Sequence, residues 1–426
     1  MLFVIMLILI LFGMDIALAM GVSGLFYLIG LGIGDNAIPL TLIPQQLMEG
    51  ANSFSLTAVP LFILAGEIMN RGGITLKLVG FAQSLVGHFR GGLAHTSVIV
   101  NMIMAGMSGS AVADCTATGS ILIPAMKEAK YGSKFSAAII AAASTIGPVI
   151  PPSIPMVLIG AIAGVSVGRL FIGGAIPGTI MGLSLMAYIW LISKRQSFPR
   201  DRRATIHEIL ISTRDALIPL GLPVVIIGSI LTGAATPTEA AVVGVIYASA
   251  ITMFIYRTVK WRDLVDIFLD ASVVSASIMF LVSTGILFGW VATSEQLGLH
   301  LSNYLLNITT SPIGMLLIIN LILLIMGCFL EGIPIILLMT PILYPIIRQI
   351  GIDPIHFGVV MTVNIMVGLL TPPIGLHLFI TSAIAKVSIG DVATEVWPMI
   401  IALTIVLVLL TFFPPLVTWL PGILMR

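Results

Sequence analysis

Of the 426 residues, 58% are hydrophobic and only 9% are charged, whereas a soluble domain carries about 25% charged residues. A chain this poor in charge cannot cover a water-facing surface, and its net charge of +1 offers no basic face for nucleic acid. Two cysteines, Cys115 and Cys328, and six scattered histidines supply neither a disulfide framework nor metal-ligand spacing. The solvent of the chain is therefore lipid. Each helical crossing takes roughly 20 apolar residues, so the length accommodates on the order of ten to twelve spans, some of them half-length. Continuous apolar runs such as Met1–Phe12, Leu217–Leu231 and Ile400–Phe413 lack the alternation of a β-barrel.

The first Lys or Arg is Arg71. Ala17-Leu18-Ala19 resembles a cleavage site, but without a basic flank the first run reads as a retained helix. A span over 54–70 ends at Arg71, with Lys77 and Arg90 close behind, and so runs toward the cytoplasm by the positive-inside rule. Glu67 and Arg71 are spaced for an i,i+4 pair. Lys77–Arg90 looks amphipathic and reads as a helix lying at the interface, with a plain loop as the alternative.

Gly106-Met107-Ser108-Gly109-Ser110-Ala111-Val112-Ala113-Asp114 gathers small and hydroxylated residues and one carboxylate inside apolar sequence. A hairpin that dips into the membrane needs Gly and Ser at its tip, and the turn exposes carbonyls that lipid does not tolerate. Hydroxyls, carbonyls and a carboxylate are hard oxygen ligands that suit Na+. An Asp at membrane depth costs roughly 2.5–3.5 kcal/mol, which makes Asp114 a functional candidate; close helix packing through Ser and Gly is the alternative. Next, Gly147-Pro148-Val149-Ile150-Pro151-Pro152-Ser153 cannot continue a helix, because each proline lacks an N–H and clashes with the carbonyl one turn back. Free carbonyls near Gly147–Ile150 facing the Ser108–Asp114 tip would close an ion cage from Ser108, Ser110, Asp114, Gly147 and Ile150.

Lys194, Arg195, Arg200, Arg202, Arg203 and Arg214 mark 194–214 as a cytoplasmic linker between two halves, 1–193 and 215–426. Spans near 215–233 and 236–256 return the chain to Arg257, Lys260 and Arg262, and the span near 272–292 then runs outward, opposite to 54–70. Both termini fall on the non-cytoplasmic side. Thr236-Pro237-Thr238-Glu239 has the pattern of a helix start. Trp261–Asp270 reads as a second interfacial helix. Gly327-Cys328-Phe329-Leu330-Glu331-Gly332 and Gly368-Leu369-Leu370-Thr371-Pro372-Pro373 repeat the tip and the break. They predict a second cage from Gly327, Glu331, Gly368 and Thr371, with Glu331 in the part of Asp114.

The repetition is numerical. Pro124, Gly147, Pro151, Pro152 and Pro177 match Pro345, Gly368, Pro372, Pro373 and Pro398 at an offset of 221, and Gly24 and Tyr27 match Gly244 and Tyr247 at 220. Two oppositely oriented halves with Gly/Pro breaks at equivalent positions predict an all-α polytopic protein with inverted repeats and a transporter site where the helices break. Framing helices fall at about 1–90 and 215–292, and hairpins with broken helices at about 93–165 and 312–387.

Taken together, GMSGSAVADCTATGSILIPAM at 106–126, GPVIPPS at 147–153, ATPTEAAVVG at 235–244 and GLLTPPIG at 368–375 resemble the large membrane subunit of tripartite ATP-independent periplasmic (TRAP) transporters, over essentially the whole chain. The resemblance implies an elevator-type scaffold plus transport domain with two re-entrant hairpins and two unwound helices. It implies Na+-driven uptake of an organic acid, such as a C4-dicarboxylate or a sialic acid, across a bacterial inner membrane. It also implies two partners, a small membrane subunit and a periplasmic substrate-binding protein. Substrate would lie between the tips, within reach of Ser110, Pro152, Ser153, Thr371 and Pro373. With no ATP-binding loop, the energy comes from an ion gradient, and no cofactor beyond the coupling Na+ is expected. Two rival readings remain at this level. One is a channel lined by broken helices. The other is an intramembrane serine protease using Ser108 of GxSG with His377, which would have to lie in hydrogen-bond reach.

Overall fold

Prolines and glycines mark many of the helix ends in this chain, although several prolines also lie inside helices. The structure is a computed structural model that describes residues 2–31, 39, 41–195 and 198–425. The first half contains α1 (Leu2–Leu11), α2 (Ile16–Leu31), α3 (Leu42–Ala51), α4 (Ala58–Arg71), α5 (Ile74–Val86), α6 (Gly92–Ser108), α7 (Ala111–Glu128), α8 (Ser133–Ser144), α9 (Ile154–Ala163) and α10 (Val167–Ile192). The second contains α11 (Ile206–Leu231), α12 (Pro237–Ala250), α13 (Trp261–Ser294), α14 (Leu297–Ile308), α15 (Pro312–Gly327), α16 (Gly332–Gln349), α17 (Pro354–Gly368), α18 (Leu376–Ala385), α19 (Ile389–Phe412) and α20 (Pro415–Leu424). Among the described residues there is no strand.

Among the described residues, six helices are long and apolar enough to cross a membrane: α10, α11, α12 with the π-turn Ile251–Ile255, α13, α16 and α19. Counting the bent pairs α3–α4 (46°) and α14–α15 (119°) as one span each gives eight. The ten to twelve expected from apolar length exceed this because other apolar runs are cut into helices of 10–17 residues. A ten-residue helix such as α9 or α18 rises only about 15 Å, half the hydrocarbon thickness.

Local chemistry accounts for the ends. Thr236 and Glu239 form a capping box at the start of α12, with Thr236 N donating to Glu239 Oε2 at 2.7 Å and Glu239 N to Thr236 Oγ1 at 3.3 Å. Gly73, at φ 70°, separates α4 from α5. The equivalent junction in the second half differs from expectation. Trp261–Asp270 is not a separate interfacial helix but the first part of α13, which continues unbroken for 34 residues. No Gly or Pro lies between Trp261 and Thr284, so nothing interrupts the ladder. Arg71 ties the two elements together: its Nε donates to Glu67 Oε1 at 2.9 Å, and its Nη2 to Asp270 of α13.

The halves pack in matching ways. In the second half α18 lies on α7 and α8 of the first, while α9 of the first lies on α16 and α17 of the second. Likewise α8 meets α19 and α17 meets α10. Outside them α2 packs on α13, α12 packs on α4, and α4 meets α13. The centre of this arrangement is α8 and α17, buried at every position from Phe135 to Ser144 and from Ile355 to Gly368. Peripheral helices instead turn apolar side chains outward, such as Leu217, Val224, Ile246 and Ile405, as lipid requires.

Candidate functional site

At the first tip, α6 ends at Ser108, Gly109 turns the chain at φ 58°, and Ser110 caps α7 by accepting from Ala113 N at 3.4 Å. Glycine is needed here both for the left-handed φ and because a Cβ would fall 2.6 Å from Pro152 O. Asp114 lies in the first turn of α7, where the helix dipole favours negative charge. It is fully buried, and Ser108 Oγ donates to its Oδ1 at 2.5 Å. Ser108 Oγ also accepts from Ser110 N at 3.3 Å. Among the described residues, Asp114 Oδ2 has no hydrogen-bond partner. A Cβ built on Gly147 would fall 2.4 Å from that oxygen, so the bare backbone of the first break lies directly against it. Behind the carboxylate, Thr118 Oγ1 donates to Asp114 O at 2.7 Å and Asn101 Nδ2 reaches Thr118 Oγ1 at 3.3 Å.

The break runs from Thr145 to Ser153. Its N–H groups make short-range turns, and Ile154 N donates to Gly109 O at 3.3 Å, pinning the break to the tip. Ser108, Ser110, Asp114 and Gly147 are thus brought together. The Ile150 side chain packs on Gly178 of α10, and Val149 O lies against Gly174 of the same helix. Pro152 is buried and Ser153 fully so. Ser153 Oγ accepts from Met156 N at 3.2 Å and donates to Pro148 O. Its hydroxyl builds the turn and caps α9.

The second tip has the same bridge, with Ile374 N donating to Cys328 O at 3.2 Å. Here tip and break touch backbone to backbone: a Cβ on Gly327 would sit 2.8 Å from Gly368 Cα, and one on Gly368 2.7 Å from Gly327 Cα. Thr371 is half-buried and donates to Val367 O at 2.9 Å. Pro373 is exposed. Glu331 sits in a different environment from Asp114. It occupies the cap position of α16, makes no side-chain cap bond and is exposed. Its repeat partner at the 221 offset is Ser110, whereas that of Asp114 is Ile335, which explains the different environment. The two tips therefore offer carboxylates of opposite character, one sealed and one open.

Sequence reasoning passed over a buried polar chain beside the second break. Asn364 Nδ2 donates to Asn320 O at 2.9 Å and Oδ1 at 3.1 Å, and Asn320 Nδ2 donates to Thr411 Oγ1 at 2.9 Å. Asparagines inside apolar helices were the available signal. His377, considered above as a protease base, sits at the start of α18 with Nδ1 3.3 Å from both Ser144 Oγ and Ala141 O. Ser108 is bonded to Asp114 instead, so the pair needed for nucleophilic catalysis is not formed.

The chain matches the family described as "Tripartite ATP-independent periplasmic transporter, DctM component" over residues 3–416. It is 38% identical over 401 residues to the sialic acid TRAP transporter large permease protein SiaM of Vibrio cholerae, covering 94% of each chain. It is 39% identical over 377 residues to the C4-dicarboxylate TRAP transporter large permease protein DctM of Pseudomonas aeruginosa, covering 88% of each. Among solved structures, the YdaH transporter of Alcanivorax borkumensis is similar in fold, with a TM-score of 0.66, 14% identity and 89% of each chain covered. The helical architecture and the broken-helix motifs thus have one identity: this chain belongs to the TRAP transporter family as its DctM component, a multi-pass large permease of the inner membrane and not an enzyme.

Proposed function

We propose that this permease imports an organic acid by Na+ symport, with the two tip-and-break regions as the cation cages. The observation that carries this reading is Asp114 Oδ2, a fully buried carboxylate oxygen without a hydrogen-bond partner among the described residues, facing the bare backbone of Gly147. An uncompensated buried charge is expensive, and a small cation held by Asp114, Ser108 and nearby carbonyls would remove that cost. The second cage uses Gly327, Glu331, Gly368 and Thr371. Its open carboxylate suits a cation that enters from outside.

Substrate binds between the tips near Ser110 and Thr371, both partly accessible, with Pro373 at the rim. Its carboxylate is recognised by hydroxyls, half-helix N-termini and bound cations, since no Arg or Lys belongs to these motifs. Sialic acid and C4-dicarboxylates, the ligands named for the relatives, are the first substrates to test. A periplasmic binding protein delivers the acid, and a small membrane subunit completes the transporter. The repeats are residues 1–193 and 215–426 in opposite orientation, joined by the basic linker 194–214. The tips, breaks and half-helices slide as one body against a frame built around α4, α12, α2 and α13.

The test is uptake by proteoliposomes holding the permease, its small subunit and its binding protein, under an imposed Na+ or K+ gradient. Saturable uptake and counterflow that require Na+ support the reading; equal uptake in K+ overturns the coupling ion, and flux without saturation favours a pore.

A further inference from the structure

The two half-helices that follow the breaks end alike. Ala163 closes α9 before Gly164 (φ 63°), and Ala385 closes α18 before Lys386 (φ 56°). Val165 N returns to Gly160 O and Val387 N to Ser382 O, each at 3.1 Å. This closure leaves the carbonyls of Ala163 and Ala385 among the last-turn acceptors that a helix cannot satisfy by itself. Each is taken by a cation from the opposite half. Lys127, at the end of α7, donates Nζ to Ala385 O at 3.0 Å. Arg348, at the end of α16, donates Nη2 to Ala163 O at 2.7 Å. Lys127 and Arg348 are themselves separated by the repeat offset of 221.

These bonds close a ring. The α7 helix carries Asp114 at one end and Lys127 at the other. From Lys127 the path crosses to the end of α18, whose start adjoins the second break. From the second tip, α16 leads to Arg348 and so to the end of α9, whose start adjoins the first break. Both helices run continuously between these ends, α7 through Pro124 and α16 through Pro341 and Pro345, so a displacement of either tip is passed along them to the break of the other half. His377 adds a fastening at the start of α18, through Nδ1 to the end of α8.

We propose that Lys127 and Arg348 are positioning residues that lock the two tip-and-break regions into one mechanical unit, so that both sites change state together. The functional meaning rests on the reading of those regions as cation cages; the mechanical statement does not. The test is hydrogen exchange of the purified permease in choline chloride, comparing wild type with Lys127→Met and Arg348→Met. The expected result for Lys127→Met is about three- to fivefold faster exchange, both in the last turn of α18 and across the cross-half path at residues 108–114 and 369–376. Arg348→Met does the same for the end of α9, 145–154 and 327–332. Lys127→Arg and Arg348→Lys, which keep charge and donor, exchange as wild type does. Faster exchange confined to the last turn of α9 or α18 overturns the proposal, as does exchange unchanged from wild type. If a methionine variant does not fold, Lys127→Gln and Arg348→Gln carry the same comparison, with a smaller rise expected and no rise contradicting it. Titrating the same proteins with NaCl and following Tm then separates the two readings. A wild type whose Tm ignores Na+ rejects the cages, while the exchange result decides the lock.

Discussion

Replacing Gly147 with Ala probes the candidate first cage without removing any of its ligands. The added Cβ would lie 2.4 Å from Asp114 Oδ2 and 3.2 Å from Ser144 O. To restore ordinary contact, the carboxylate must withdraw by about 1 Å. Its Oδ1 is held by Ser108 at 2.5 Å, so withdrawal stretches that bond or moves the tip. A hydrogen bond to a charged group is worth about 1.5–3 kcal/mol, and overpacking a tight site costs about 1–3 kcal/mol. With 1.4 kcal/mol per decade, the Na+ concentration at half-effect should rise at least about tenfold. The assay is an NaCl titration of Tm for the purified permease, at ionic strength held constant with choline chloride. Gly80→Ala is the control, since nothing lies within 4 Å of a Cβ there and Gly80 is inside α5. It should leave the Na+ midpoint unchanged and, by helix propensity, stabilise by up to about 1 kcal/mol. A folded Gly147→Ala protein with the wild-type Na+ midpoint would refute the placement of the cation between Asp114 and Gly147.

Gly327→Ala and Gly368→Ala should each lower Tm and abolish uptake, because the atom opposite is backbone and cannot rotate away; a well-expressed, active variant would show that the second tip and break do not stay in contact. Glu331→Gln should reduce the steepness of Na+-dependent uptake from a Hill coefficient of about two toward about one, and unchanged steepness would remove Glu331 from the second cage. Lys386→Gly should raise Tm by about 1–2 °C, since a left-handed non-glycine residue costs roughly 1–2 kcal/mol; a lower Tm would mean that the Lys386 side chain contributes more than its backbone costs.

The helical class and the positions of both breaks are legible in the sequence because proline and glycine act locally. Single prolines such as Pro124 and Pro177 are carried inside helices, but the adjacent pairs Pro151-Pro152 and Pro372-Pro373, close after Gly147 and Gly368, leave no helix to continue. Burial is not local, and Glu331 shows the consequence. Like Asp114 it is a lone acid in apolar sequence, yet one is sealed behind Gly147 and the other is exposed at a helix cap. Reading Glu331 against its partner at the repeat offset, Ser110, would have exposed the difference. Trp261–Asp270 has the amphipathic pattern of an interfacial helix, but pattern does not reveal whether the helix continues, and α13 does. The Lys127 and Arg348 contacts escape sequence reasoning because their partners are backbone carbonyls, which have no letter.

The most direct test of the central claim is equilibrium binding of ²²Na+ to the purified permease and to its folded Asp114→Ala variant. The account predicts saturable binding by the wild type and the loss of at least one site in the variant. Identical binding curves, or no saturable binding by the wild type, would contradict it.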